Sequence, residues 1–142
     1  MSLIVKKMAQ LMSGLIFVYG AYIATHGHLT PGGGFAGGAL IAGAFILMIL
    51  ANGSGYVRLK RQEEGSSAVE SAAVLMALLL ATIGLAAGTM VFFNNYLPPG
   101  IPGRLISGGV IPLYNVFIGI EVAAALMTIF LALVIYKEEI SK

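Results

Sequence analysis

The sequence predicts an all-α integral membrane protein with four transmembrane helices, and three observations carry that prediction. Mean hydropathy is +0.94. Only 10% of the 142 residues are charged, against about 25% in a soluble domain, which is too few to cover a water-facing surface. Four apolar runs follow one another, each near the length of about 20 residues that spans a bilayer core. None alternates with period two, so a closed β-barrel, the other architecture that can span lipid, does not fit.

The first run covers residues 8–24 and follows Lys6 and Lys7. It is longer than the roughly 7–15 apolar residues of a signal peptide, and no convincing cleavage site follows, so we expect it to be retained. The second run covers 34–51, the third 67–96 and the fourth 110–136. The last two are long enough to tilt or to project beyond the bilayer. The third is expected to start at a capping box, with Ser67 as N-cap and Glu70 reaching back from the first turn. The segment from Leu97 to Gly109 is rich in Pro and Gly and cannot continue a helix. No internal repeat or linker is visible, so residues 1–142 read as one membrane domain.

Loop charge gives an orientation. Lys6, Lys7, Arg58, Lys60, Arg61, Lys137 and Lys142 fall on one side of a four-span layout, and Arg104 alone falls on the other. Seven of the eight basic residues on one side predict that both termini and the loop 52–66 are cytoplasmic, in a multi-pass protein of the cell membrane. The absence of Cys excludes disulfides, iron–sulfur ligation and thiolate zinc sites carried by this chain. The net charge of +2, held in loops, fits orientation in a lipid bilayer and not a nucleic-acid partner.

Four features compete as carriers of chemistry. Glu121 lies near the middle of the fourth run, where an acid is costly and faces protein or a wet cavity. At helical spacing Tyr114, Phe117, Ala125 and Thr128 share its face. That face offers a proton or cation relay, or a hydrogen bond that serves assembly. Glu70 could serve the same path, although the capping box explains it equally well. His26 and His28 are two residues apart in a turn, and no third ligand lies near them in sequence. A catalytic zinc site needs three protein ligands, so no metal is assigned; the histidines hydrogen-bond backbone or tune protonation near the surface.

The glycines come last. Pro31 to Gly34 lacks the Gly-Lys-Ser/Thr ending of a P-loop. Gly34, Gly38 and Ala42 instead form a stripe that lets another helix approach closely, with Ala36, Ala39 and Gly43 beside it. Gly84 and Gly88 offer a second such patch on the third run. One central acid and several contact faces fall short of the dense polar set of a complete pump. Such a chain works with partners in a larger complex.

The stretch GHLTPGGGFAGG, Gly27 to Gly38, resembles the signature of the B subunit of Mrp/Mnh-type multisubunit sodium/proton antiporters. His28, Pro31, Gly32, Gly33, Gly34, Phe35, Gly37 and Gly38 fit it. The four-helix layout extends the resemblance over nearly the whole chain. In those subunits the last helix opens with a pattern similar to P-L-L-F-D-x-G. Here Pro112 to Gly119 is one position short, and Asn115 stands where an acid is expected, so the role of that acid does not carry over to Asn115. The departure is similar to related subunits of archaeal complexes that join a hydrogenase or sulfur-reducing arm to an Mrp-like membrane arm. The resemblance implies an accessory subunit of an ion-translocating module, without enzyme activity or a cofactor of its own. Its partners would be A-related, C and D type subunits and, in a respiratory complex, hydrogenase-like chains. Glu121, Glu70, Thr128, Tyr114, Asn115 and His28 are the ion-pathway candidates. A purely structural subunit is the alternative.

Overall fold

The computed structural model describes residues 2–53, 59–86, 91–104 and 107–140. Four α-helices, α1 (Leu3–His26), α2 (Gly33–Asn52), α3 (Leu59–Gly84) and α4 (Ile111–Ile140), form the described secondary structure. There is no strand among the described residues. Each helix holds a stretch long and apolar enough to cross a membrane. The α1–α2 turn and the segments 91–104 and 107–110 lie at one end of the bundle, here called the hairpin end.

Burial is distributed as lipid demands. Leu11 and Leu15 are each 59% exposed and Val18 is 67% exposed, whereas Ala42, Ala44 and Ala81 are buried. Lipid tails are as apolar as leucine, so large side chains gain little by turning inward, and small residues that let backbones approach drive packing. One larger cluster joins Ile49 of α2 to Leu131 of α4, with Met127, Phe130, Val134 and Ile135 around it.

α2 packs along both α1 and α4, and α3 packs along α4. The glycines of α2 explain its central place. A methyl group at Gly37 would stand 2.7 Å from Gly20 O and from Ala24 N of α1. On the other face, a methyl at Gly34 would collide with Asn115 O, and one at Gly38 with Gly119 O, both in α4. Phe35, between these glycines, points out of the bundle and is 67% exposed.

The α1–α2 turn is closed by three donors that converge on one carbonyl. Leu29 N, Thr30 N and Thr30 Oγ1 all donate to His26 O, at 2.8, 3.0 and 3.1 Å. Gly32 (φ 131°) and Gly33 (φ 65°) then turn the chain into α2 through backbone space that side chains rarely enter.

Helix ends differ from the sequence expectation in instructive ways. α1 starts at Leu3, where Ser2 Oγ accepts from Val5 N at 3.4 Å. α3 starts at Leu59, so Ser67 and Glu70 lie inside the helix and form no capping box there. The run Leu59–Glu64 is made of good helix formers, and they extend the helix past the local cap pattern. α3 ends at Gly84 with a wider turn at Leu85–Ala86, well before residue 96. Phe93 has φ 64°, a left-handed conformation that no right-handed helix can include. The chain there folds back, and Gly84 meets Asn94 and Tyr96. Gly88, the partner expected for Gly84, lies outside the described residues.

Replacing Gly38 with Ala should cost about 1–3 kcal/mol, the usual range for overpacking, and lower the heat-denaturation midpoint in detergent. Gly43→Ala is the control, because nothing lies within 4 Å of a methyl there, and it should leave the midpoint unchanged.

Candidate functional site

The candidate residues separate into a seam between α3 and α4 and a polar cap at the hairpin end. Along α3 the residues turned inward are Glu63, Ser66, Glu70, Ala73, Ala77, Ala81 and Gly84, all buried or half-buried. Steps of three and four place them on one face of a helix. Across the seam, Ser66 Oγ donates to Ala124 O at 2.7 Å. Thr128 Oγ1 lies 2.9 Å from Ser66 Oγ and 2.9 Å from Ala124 O.

The two flanks of this contact differ. On one, Gly65 and Val69 of α3, Ile120, Ala123 and Met127 of α4, and Ile41 and Phe45 of α2 line an apolar groove of about 380 Å³. On the other, Glu63, Glu64, Ser67, Ser71 and Thr128 line an open polar pocket of about 520 Å³. At about 100° per residue, Glu70 falls on the Ser67 flank of α3 and Glu121 on the Thr128 flank of α4. Both are half-buried. Among the described residues, neither carboxylate takes a hydrogen bond or ion pair.

Tyr114 lies two turns from Glu121 toward the hairpin end, on the same face of α4. Its ring sits 5.4 Å from that of Phe93. Among the described residues its hydroxyl, and both ring nitrogens of His28, are shielded and without a hydrogen-bond partner. A shielded polar group without a partner is uncommon and costly.

His28 and Asn115 belong to the hairpin end. The His28 ring lies against Gly108, near Pro112. His26 goes elsewhere: it stacks on Tyr22 at 4.0 Å, and its Nδ1 lies 3.0 Å from Tyr22 O. Asn115 faces the turn, where a methyl at Gly27 would stand 2.9 Å from its Nδ2. Among the described residues, no three His, Asp or Glu side chains converge as a metal site would require.

Two residues that sequence reasoning passed over hold this arrangement together. The cap pattern at Ser67 leaves Ser66 in a loop and hides its part in the inward face. Asn95 holds the start of α4 from fifteen positions away. Its Oδ1 accepts from Val110 N at 2.9 Å, and its Nδ2 donates to Gly108 O at 3.3 Å. No local pattern marks such a distant contact.

A family model described as a domain related to the MnhB subunit of Na+/H+ antiporters matches residues 4–128. The chain belongs to this family. The MnhB-related chain is 38% identical over 130 residues to an uncharacterised protein of Methanocaldococcus jannaschii, covering 88% of this chain and 49% of that one. Over 48 residues, 34% of each chain, it is 40% identical to proteins named as antiporter subunit mnhB2 in Staphylococcus epidermidis and Staphylococcus aureus. Among solved structures it is similar to a chain of the membrane-bound sulfane sulfur reductase, an archaeal respiratory membrane complex. The TM-score is 0.73 at 36% identity, covering 91% of this chain and 56% of that one. The MnhB-related chain therefore spans about half the length of its longer relatives.

Asn95→Ala should remove two bonds that hold the start of α4, at about 1 kcal/mol each. Faster amide hydrogen exchange at Val110 and Ile111, with exchange in α2 unchanged, is the expected outcome.

Proposed function

We propose that this MnhB-related chain is an accessory, non-catalytic subunit of a multisubunit sodium/proton antiport module, and that its α3–α4 seam contributes to the ion path. One observation carries the reading. Among the described residues, Glu70 and Glu121 are half-buried and take no hydrogen bond or ion pair, and helical spacing puts both on the polar flank of one seam. Acids inside a membrane span are expensive and mark ion or proton routes. The hydroxyls of Tyr114, Ser66 and Thr128 extend the polar line toward both ends of the bundle. The names of the Staphylococcus relatives support an antiporter setting. The similarity to a chain of the sulfane sulfur reductase supports a setting within a respiratory membrane complex.

In this reading the chain carries no cofactor. Its neighbours are the A-related, C and D type subunits of the module and, in a respiratory complex, hydrogenase-like subunits. It lies in the cell membrane with both termini and the α2–α3 connection in the cytoplasm, as the charge distribution favours. His28, Asn115 and the glycine turn then face outward. A purely structural role is the second reading. It is favoured by the inward face of the signature glycines, which, among the described residues, meet helix backbones, apolar side chains and Asn115.

Glu121→Gln in the assembled complex separates the two. Loss of a carboxylate from the path should slow sodium-dependent proton transport roughly tenfold, the factor that about 1.4 kcal/mol makes, with complex amount unchanged on native gels. Unchanged transport would remove Glu121 from the path. Orientation is checked with single cysteines, since the chain has none. A membrane-impermeant thiol reagent should label Thr30→Cys in intact cells, and Ser2→Cys only after the membrane is opened.

A further inference from the structure

The seam between α3 and α4 has a smooth stretch and a directional one. Toward the hairpin end, α3 presents Ala73, Ala77 and Ala81 to its neighbour, with Ala73 and Ala81 buried. Methyl groups allow close approach but hold no axial position, because neighbouring notches along a helix are nearly equivalent. Ser66 and Thr128 differ in kind. Each hydroxyl has one proton and two lone pairs. Ser66 gives its proton to Ala124 O. Thr128 Oγ1 lies 2.9 Å from both Ser66 Oγ and Ala124 O and divides its one proton between them. These three groups meet in one register.

That register sets the level of the two acids. The helices run antiparallel across the seam. Glu70 lies four residues beyond Ser66, and Glu121 three residues before Ala124, in the same direction along the bundle. At about 1.5 Å per residue, each carboxylate stands roughly one turn from the clamp, toward the hairpin end. The wheel puts both on the polar flank. A slip of α3 by one turn would move Glu70 by about 5.4 Å relative to Glu121.

We propose that Ser66 and Thr128 are positioning residues: their hydrogen-bonded clamp fixes the register of α3 on α4 and so holds Glu70 and Glu121 level on the same side of the seam. The structural part stands on the hydrogen bonds. Its consequence for transport rests on the ion-path reading above.

The test uses the assembled membrane complex. Because this chain lacks Cys, Glu70→Cys with Glu121→Cys gives a defined pair, and the two single variants control for thiols on other chains. A short bis-maleimide should cross-link the pair within the chain by adding to both thiols. Adding Ser66→Ala or Thr128→Val should lower the yield about threefold, the weight of one interhelical hydrogen bond in a membrane. Thr128→Ser keeps the hydroxyl and should keep the yield. Equal yields with Ser66→Ala and Thr128→Val, or no cross-link in the parent pair, would overturn the proposal.

Transport supplies a readout that packing alone does not move. With Glu70 and Glu121 intact, Thr128→Val should raise the KM for sodium with complex amount unchanged, and Thr128→Ser should behave as native. A Thr128→Ser complex as impaired as Thr128→Val would overturn the role of the hydroxyl. If Glu121→Gln leaves transport unchanged while the cross-link pattern holds, the clamp stands and the ion-path reading falls.

Discussion

The fold depends on backbone contact around α2. Gly37 lies against Gly20 and Ala24 of α1, while Gly34 and Gly38 lie against Asn115 and Gly119 of α4. α2 thereby serves two neighbours at once, from two faces only a few residues apart. In water such a helix could be held by burying leucines. In lipid that driving force is absent, and close van der Waals contact must replace it. The short turn at Gly32 and Gly33 delivers the chain into this position.

The consequences run outward from that contact. Once α2 and α4 are joined, α4 keeps its opposite face free for α3. That second contact is of another type, with alanines for most of its length and two hydroxyls at one point. The signature stretch Gly27 to Gly38 therefore works mainly on architecture. Its glycines turn inward, Phe35 turns outward, and His28 is placed under the returning segment near Gly108. The carboxylates lie elsewhere, on the seam that the signature makes room for but does not touch.

The four spans were legible in the sequence because hydropathy is a property of each run by itself. The Gly34–Gly38–Ala42 stripe was legible for a similar reason, since helical spacing alone puts small residues on one face. Ser67 and Glu70 were misplaced because a capping box inside a helix looks the same, letter by letter, as one at its start. The early end of α3 was hidden in an apolar run that continues to Tyr96 while the backbone at Phe93 has already turned left-handed. Asn95 and Ser66 act across fifteen and fifty-eight positions respectively, distances at which no local pattern speaks.

The sequence by itself determined that the chain spans a membrane, roughly where its helices lie, and which family its turn belongs to. These follow from transfer energy, from helical periodicity and from a dense local motif. Only the tertiary structure decided that α2 lies between α1 and α4, and that Thr128 meets α3 and Tyr114 meets Phe93 while Asn115 faces the turn. It also decided that Glu70 belongs to a seam and not to a cap. The reason is that a helix face acquires a meaning only from the neighbour it meets. Neighbours are set by backbone approach and directional hydrogen bonds between residues far apart in the chain.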